Sequence, residues 1–321
     1  MSDLLEPEEI RAFGARSDLI GALLVLHAWG LVFAAMALFA LWPNPLTFVV
    51  AVMVIGGRQL GLAILMHDAA HGLLFTRKAV NDAVAQWFCA WPVATDLALY
   101  RPYHLKHHRF TQQAEDPDLV LSAPFPITRA SLRRKIIRDL TGQTGYQRRK
   151  AQFADAWGPR ELTLRQHLAR LRERLGGAAL ANLALCAGLA TLGYWWLYPA
   201  LWLLPMMTWY QLVSRIRNIA EHAVVPDNDD PLRNTRTTLA GPLVRLLLAP
   251  YRVNYHLEHH LLPGTPCWRL PQVHRRLLAK GYGARMELRR GYREVLAMAT
   301  SALGSTGAGG DTVRPGAQQY I

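Results

Sequence analysis

The chain has 321 residues, enough for one large domain or two small ones, and pairs 51% hydrophobic residues with a formal net charge of +13. A basic soluble chain would suggest a nucleic-acid partner. Apolar runs as long as those below exclude that class and place the cations in the loops of a membrane protein.

The opening "MSDLLEPEE" is acidic where a secretory signal is basic, so residues 1–18 read as an N-terminal cytoplasmic segment. Two apolar runs follow, about 19–41 and 45–66, each long enough to cross a bilayer, which takes about 20 such residues. Only "WPNP" separates them, which predicts a tight transmembrane hairpin. Arg58 is the one cation inside a span; it binds a lipid carboxyl, caps a carbonyl within the fold or lines a polar pocket. "HDAAH" (67–71) closes the second run, and "AVAQWFCAWPVATDLALY" (83–100), broken by Pro92 and Asp96, reads as an interfacial or re-entrant segment. "YHLKHH" and "EDPD" come next. "SLRRKIIRDL" and "ELTLRQHLARLRERL" carry leucines and isoleucines on one face of a 3.6-residue period, which predicts amphipathic helices. Cationic helices of this kind lie on anionic lipid or pack on each other in a soluble cap.

A second pair of apolar runs, about 178–197 and 199–216, is joined at "YP" and predicts a second hairpin. "NIAEH" (218–222) follows it, and "HLEHHLLPGTP" (256–266) lies further on, with Pro263 and Gly264 set to stop its helix. Residues 19–282 form the membrane domain. Residues 283–321 form a C-terminal tail whose Gly-rich end is expected to be partly disordered. Cys89, Cys186 and Cys267 are too far apart for a thiolate or disulfide pattern.

Charge placement orients the chain. Of 36 Lys and Arg, 18 lie between the hairpins and 15 from Arg215 onward, and neither tight turn carries one. Cationic loops stay cytoplasmic, so both termini and the central loop face that side. The predicted class is an all-α integral membrane protein of four transmembrane helices in two hairpins, with a helical cytoplasmic cap.

Nine of the 12 histidines fall on that side: His67 and His71, His104, His107 and His108, His222, and His256, His259 and His260. Residues three or four apart share a helical face, and neutral imidazole suits iron, zinc, copper or nickel. Nine rings exceed one ion's four to six ligands, so two ions is the natural count. Zinc hydrolysis is disfavoured because "HDAAH" lacks the glutamate base of HExxH. A metal transporter would want ionisable groups along its spans, which carry almost none. His27, His167 and His274 read as ordinary core or surface residues.

In "HDAAHG", "HLKHH", "EDPD", "NIAEH" and "HLEHHLLPGTP" the chain resembles the membrane fatty acid desaturases of the histidine-box, di-iron superfamily, over about residues 20–282. The resemblance implies two iron ions just above the membrane's cytoplasmic face, held by the nine histidines. It implies dioxygen as co-substrate and a lipid chain as substrate. It implies Asn218, Asp68, Glu221, Glu258, Asp116 and Asp118 as neighbours that steady the ligands. The first box has three residues between its histidines where the acyl-CoA branch has four, the third begins with His256 where front-end desaturases carry Gln, and no HPGG segment is present. Electrons must therefore come from a separate ferredoxin or cytochrome b5-type donor, docked on a basic face of Arg133, Arg134, Lys135, Arg148, Arg149 and Lys150. That face would otherwise hold anionic lipid or an acyl carrier. The implied reaction is desaturation of a fatty acyl chain. Hydroxylation or ketolation of a carotenoid or other lipid is the alternative, and a non-catalytic metal-holding protein the third. Arg outnumbers Lys 31 to 5, which hints at a GC-rich bacterium and its inner membrane.

Overall fold

A computed structural model describes residues 4–302. Helix α1 (Pro7–Phe13) is followed by α2 (Asp18–Leu41) and α3 (Pro45–Ala70). The turn between α2 and α3 is set by Asn44, whose side chain accepts from the amides of Leu46 and Thr47, with Pro45 at the first helical position. Helix α3 is the centre of the molecule: two thirds (67%) of its apolar window is buried, against 28% for α2. After α4 (Lys78–Ala85), residues 86–93 form π and 3-10 turns and end at Ala94 in the left-handed region. Asp96 then caps α5 (Leu97–Arg109) by accepting from the amides of Ala98 and Leu99.

The stretch between the second and third apolar runs continues through α6 (Leu119–Ser122), α7 (Arg129–Leu140) and α8 (Gln143–Trp157). Next comes α9 (Leu164–Thr191), which begins on a Thr163–Gln166 capping box. The expected amphipathic helix and the expected third span are thus one continuous helix, ending at Thr191 rather than at 197. Helices α2, α3 and α9 are the described helices long and apolar enough to cross a membrane. The fourth expected run is not a single helix. It begins as a π turn (Tyr198–Leu203), continues as α10 (Leu204–Met207), breaks at Thr208 and resumes as α11 (Trp209–His222).

Beyond α11 lie β1 (Thr237–Thr238), α12 (Pro242–Leu247), α13 (His256–Leu261), α14 (Leu270–Ala279), β2 (Leu288–Arg289) and α15 (Tyr292–Ala299); β1 and β2 pair in parallel. Helix α12 packs against the middle of α3. At Gly57 a Cβ would stand 2.9 Å from the Leu247 carbonyl oxygen, so only glycine lets the backbones meet. Arg58 beside it resolves the choice left by the sequence. Its guanidinium donates to the carbonyls of Arg245 and Leu246 at the end of α12 and lies over the Tyr251 ring, 5.5 Å from the centroid. Residues 303–321, where the Gly-rich tail was expected to be disordered, lie outside the described residues.

Candidate metal centre

The nine histidines converge from α3, α5, α11 and α13. They form two groups: His67, His71, His104, His108 and His259 in one, and His107, His222, His256 and His260 in the other. Within each group one ring nitrogen per residue lies within 4.8 Å of the others. The helical spacing does not put each box on one face. His104 and His108, four apart, serve the first group while His107 turns to the second; His256 and His260 serve the second while His259 turns to the first. Each HxxHH therefore straddles the two groups. His108 is the hinge: its Nε2 lies 2.9 Å from that of His259 and 3.0 Å from that of His104, and its ring stacks on His260 at 4.2 Å.

The remaining contacts test whether these rings suit metal. Nε2 meets Nε2 at 2.9 Å between His71 and His104, 2.8 Å between His256 and His222, and 3.0 Å between His260 and His256. Metal–nitrogen bonds of about 2.1 Å place neighbouring ligand nitrogens about 3.0 Å apart at right angles. Both nitrogens of His67 and Nδ1 of His222 are buried with no hydrogen-bond partner, a costly state unless something else engages the ring. Burial pushes His71 down to about 4 and His108 to about 2, each opposed further by neighbouring cationic groups. Burial, and then the surrounding rings and arginines, drive His104, His222, His256, His259 and His260 well below the ordinary imidazole value. Neutral, converging lone pairs are what a cation requires. The donor set fits two metal ions.

The neighbouring carboxylates divide by role. Asp116 accepts from Nδ1 of His107 at 2.8 Å and from the amides of Gln112 and Asp118. It therefore leaves Nε2 of His107 bare and aimed into the second group. Burial lowers the pKa of His107, but the Asp116 hydrogen bond and the charges of Asp118 and Asp116 outweigh it and hold it above the ordinary value. Asp118 accepts from the Tyr103 hydroxyl and stands 3.7 Å from Nδ1 of His107. Asp68 accepts from the Cys267 amide at 2.9 Å, tying the first box to the loop after the third; its other oxygen is 3.7 Å from Nδ1 of His67.

Glu221 is paired with Arg217 (2.6 Å) and lies 3.5 Å from Nε2 of His256, and burial pushes its carboxyl up to about 7 against the pull of Arg217. Glu258 touches no ligand ring. It accepts from Nδ1 of His274 at 2.6 Å and from the Thr237 hydroxyl, so it braces α13 against α14 and β1. Asn218 lines a cavity of about 10 Å³ with Tyr100, Arg217, Glu221 and His222, room for about one water molecule.

Several participants went unread in the sequence. Thr111 Oγ1 meets Nδ1 of His260 at 3.1 Å and Tyr100 stacks on His104, while His274 is a core residue, as one of its two readings had it, with Glu258 as its partner. Tyr100 stands one turn before His104, so its signal was present; Thr111 and His274 acquire meaning only in three dimensions. The expected basic docking face does not form as a unit. Arg148 is buried, and Arg149 donates to the Ala94 carbonyl.

A family model described as fatty acid desaturase matches residues 41–292. The chain is 26% identical to dihydrorhizobitoxine desaturase of Bradyrhizobium elkanii over 274 residues, covering 83% of this chain and 77% of that protein. It is 27% identical to a beta-carotene ketolase of Paracoccus sp. (strain PC1), covering 78% and 86%, and 26% identical to that of strain N81106 / MBIC 01143, covering 79% and 88%. A match across most of the chain, enclosing every one of the nine histidines, shows that this oxidoreductase belongs to the fatty acid desaturase family.

Proposed function

We propose that the protein is an oxygen-dependent di-iron desaturase that introduces a double bond into a fatty acyl chain of a membrane lipid or thioester. The observation that carries this reading is the pair of adjoining imidazole groups in a chain of this family. His67, His71, His104, His108 and His259 would hold one iron, and His107, His222, His256 and His260 the other. When bound, the iron pair supplies the power to activate dioxygen and to take hydrogen from an unactivated C–H bond. Loss of two hydrogens from the chain, with two electrons and two protons from outside, balances reduction of dioxygen to two waters. A separate ferredoxin or cytochrome b5-type protein provides the electrons.

The chain's own residues prepare the site. Asp116 and Thr111 hold the protons of His107 and His260 on Nδ1, away from the centre. The Arg217–Glu221 pair places a hydrogen-bonding wall beside Asn218 and His256. Four spans in two hairpins carry this cap on the cytoplasmic side of a bacterial inner membrane. The clustering of cations outside the two tight turns supports that orientation. An apolar substrate then reaches the site from the bilayer.

The ketolase relatives favour one second reading, oxygenation of a carotenoid or other lipid at the same centre. Expression in a bacterial host followed by lipid mass spectrometry separates the two. A product lighter by two hydrogens is expected; a product heavier by oxygen would overturn desaturation in favour of the second reading.

A further inference from the structure

The side chains of Arg129, Arg133 and Arg134 on α7 make no hydrogen bond or ion pair among the described residues, whereas Arg101, Arg215, Arg217 and Arg236 are each paired with a carboxylate. The three unpaired guanidiniums rim two adjoining hollows of about 320 and 490 Å³. The first hollow lies between α7 and α15, on an apolar floor of Leu132, Ile136 and Leu296.

The packing of α7 sets the height of this groove. Leu132 shares a hydrophobic cluster with Ile219 and Ala220. Seven residues on, Asp139 takes a two-pronged ion pair from Arg215, at 2.6 and 2.8 Å. At the start of α8, Gly145 lies so close to the Met207 backbone that a Cβ would come within 2.6 Å of its carbonyl oxygen. Helix α7 therefore runs antiparallel to α11, away from His222 and toward the apolar residues near 207. At that lower end Ile137 (47%), Leu140 (44%) and Tyr146 (60%) are exposed. Arg133 and Arg129 stand seven and eleven residues before Leu140, about 10 and 17 Å higher at 1.5 Å per residue. Half the hydrocarbon core of a bilayer is about 15 Å. With α7 along the membrane normal and Leu140 about 5 Å from the midplane, the arginines stand at the level of the phosphates.

We propose that the α7–α8 hairpin is seated in the cytoplasmic leaflet and that the groove between α7 and α15 binds the phosphate of an anionic phospholipid. Guanidinium offers planar, paired donors to phosphate oxygens, and the apolar floor takes the first part of an acyl chain. The inference rests on the membrane orientation given under the proposed function.

The test uses the full chain in phosphatidylglycerol-containing nanodiscs, in a Cys186→Ser background. Nitroxides are attached at Leu140→Cys and Tyr146→Cys, with Leu183→Cys on the exposed face of α9 as reference. All three are expected to be relaxed by oxygen more than by a water-soluble nickel chelate. Nickel-favoured relaxation at 140 and 146 with oxygen-favoured relaxation at 183 overturns the hairpin's seat alone; nickel-favoured relaxation at 183 overturns the third membrane span itself. In parallel, native mass spectrometry counts retained phosphatidylglycerol. Arg129→Glu with Arg133→Glu and Arg134→Glu should cut retention about tenfold or more, while lysine at the same three sites, which keeps the charge but loses the paired donors, should cut it less. Equal retention in the glutamate variant overturns the groove as the binding site.

Discussion

His108 is the residue on which both imidazole groups meet, through contacts to His104, His259 and His260. His108→Ala is therefore expected to lower bound iron by roughly half or more, because ligation and folding of the site are linked. Iron analysis of purified protein checks this, and full occupancy would contradict it. Asp116 acts one layer out, and Asp116→Asn should weaken metal affinity about 10–100-fold, as removal of an outer-shell carboxylate does. Competition with a chelating dye reads the change; unaltered affinity would remove Asp116 from the site.

Acid provides a third test at this scale. In the folded chain burial holds His71 at about 4 and His108 at about 2, below the ordinary value of about 6.5. The unfolded chain takes up these protons first. The stability these neutral rings confer is complete above about pH 7 and is lost as pH falls from about 6.5 toward 4. The thermal midpoint of metal-free protein should therefore drop between pH 7.5 and pH 5.5. Sequence spacing identified every one of the nine rings, yet it assigned the same orienting role to Asp116 and Glu258. Both sit near ligands in the chain, but only the folded structure shows that Asp116 holds a ring and Glu258 braces a helix.

At the scale of elements, α13 illustrates how little a ligand-bearing helix can do alone. It spans six residues, too few to be stable by propensity. Glu258→Ala leaves the His274 and Thr237 donors unmatched in a buried place and should cost about 3 kcal/mol. A lowered unfolding midpoint together with lost iron is the expected outcome; wild-type iron content would show that α13 needs no brace. The elements also mark the limits of pattern reading. Hydropathy found α2 and α3 because long apolar helices are local facts. It split α9 in two because the amphipathic and apolar halves differ in composition, although the backbone runs through both without a break. Helix α12 left no signal of its packing, since its fit against Gly57 and Arg58 joins segments nearly 190 residues apart.

The whole molecule should be most stable with its metal. The histidines of α3, α5, α11 and α13 are otherwise held by packing and a few hydrogen bonds, so an ion binding the folded state alone would add about 2.7 kcal/mol per site at a hundred times its dissociation constant. Chelation should lower the thermal midpoint and iron should restore it; a midpoint indifferent to metal would argue against ions within the fold. By itself the sequence determined the membrane class and singled out the nine histidines that the fold gathers, because apolar length and i, i+4 spacing are written within single segments. Only the tertiary structure decided which ring joins which group, which carboxylate holds a ring and what Arg58 meets. Those outcomes depend on where four helices cross, and crossing is set by backbone contact between residues far apart in the chain.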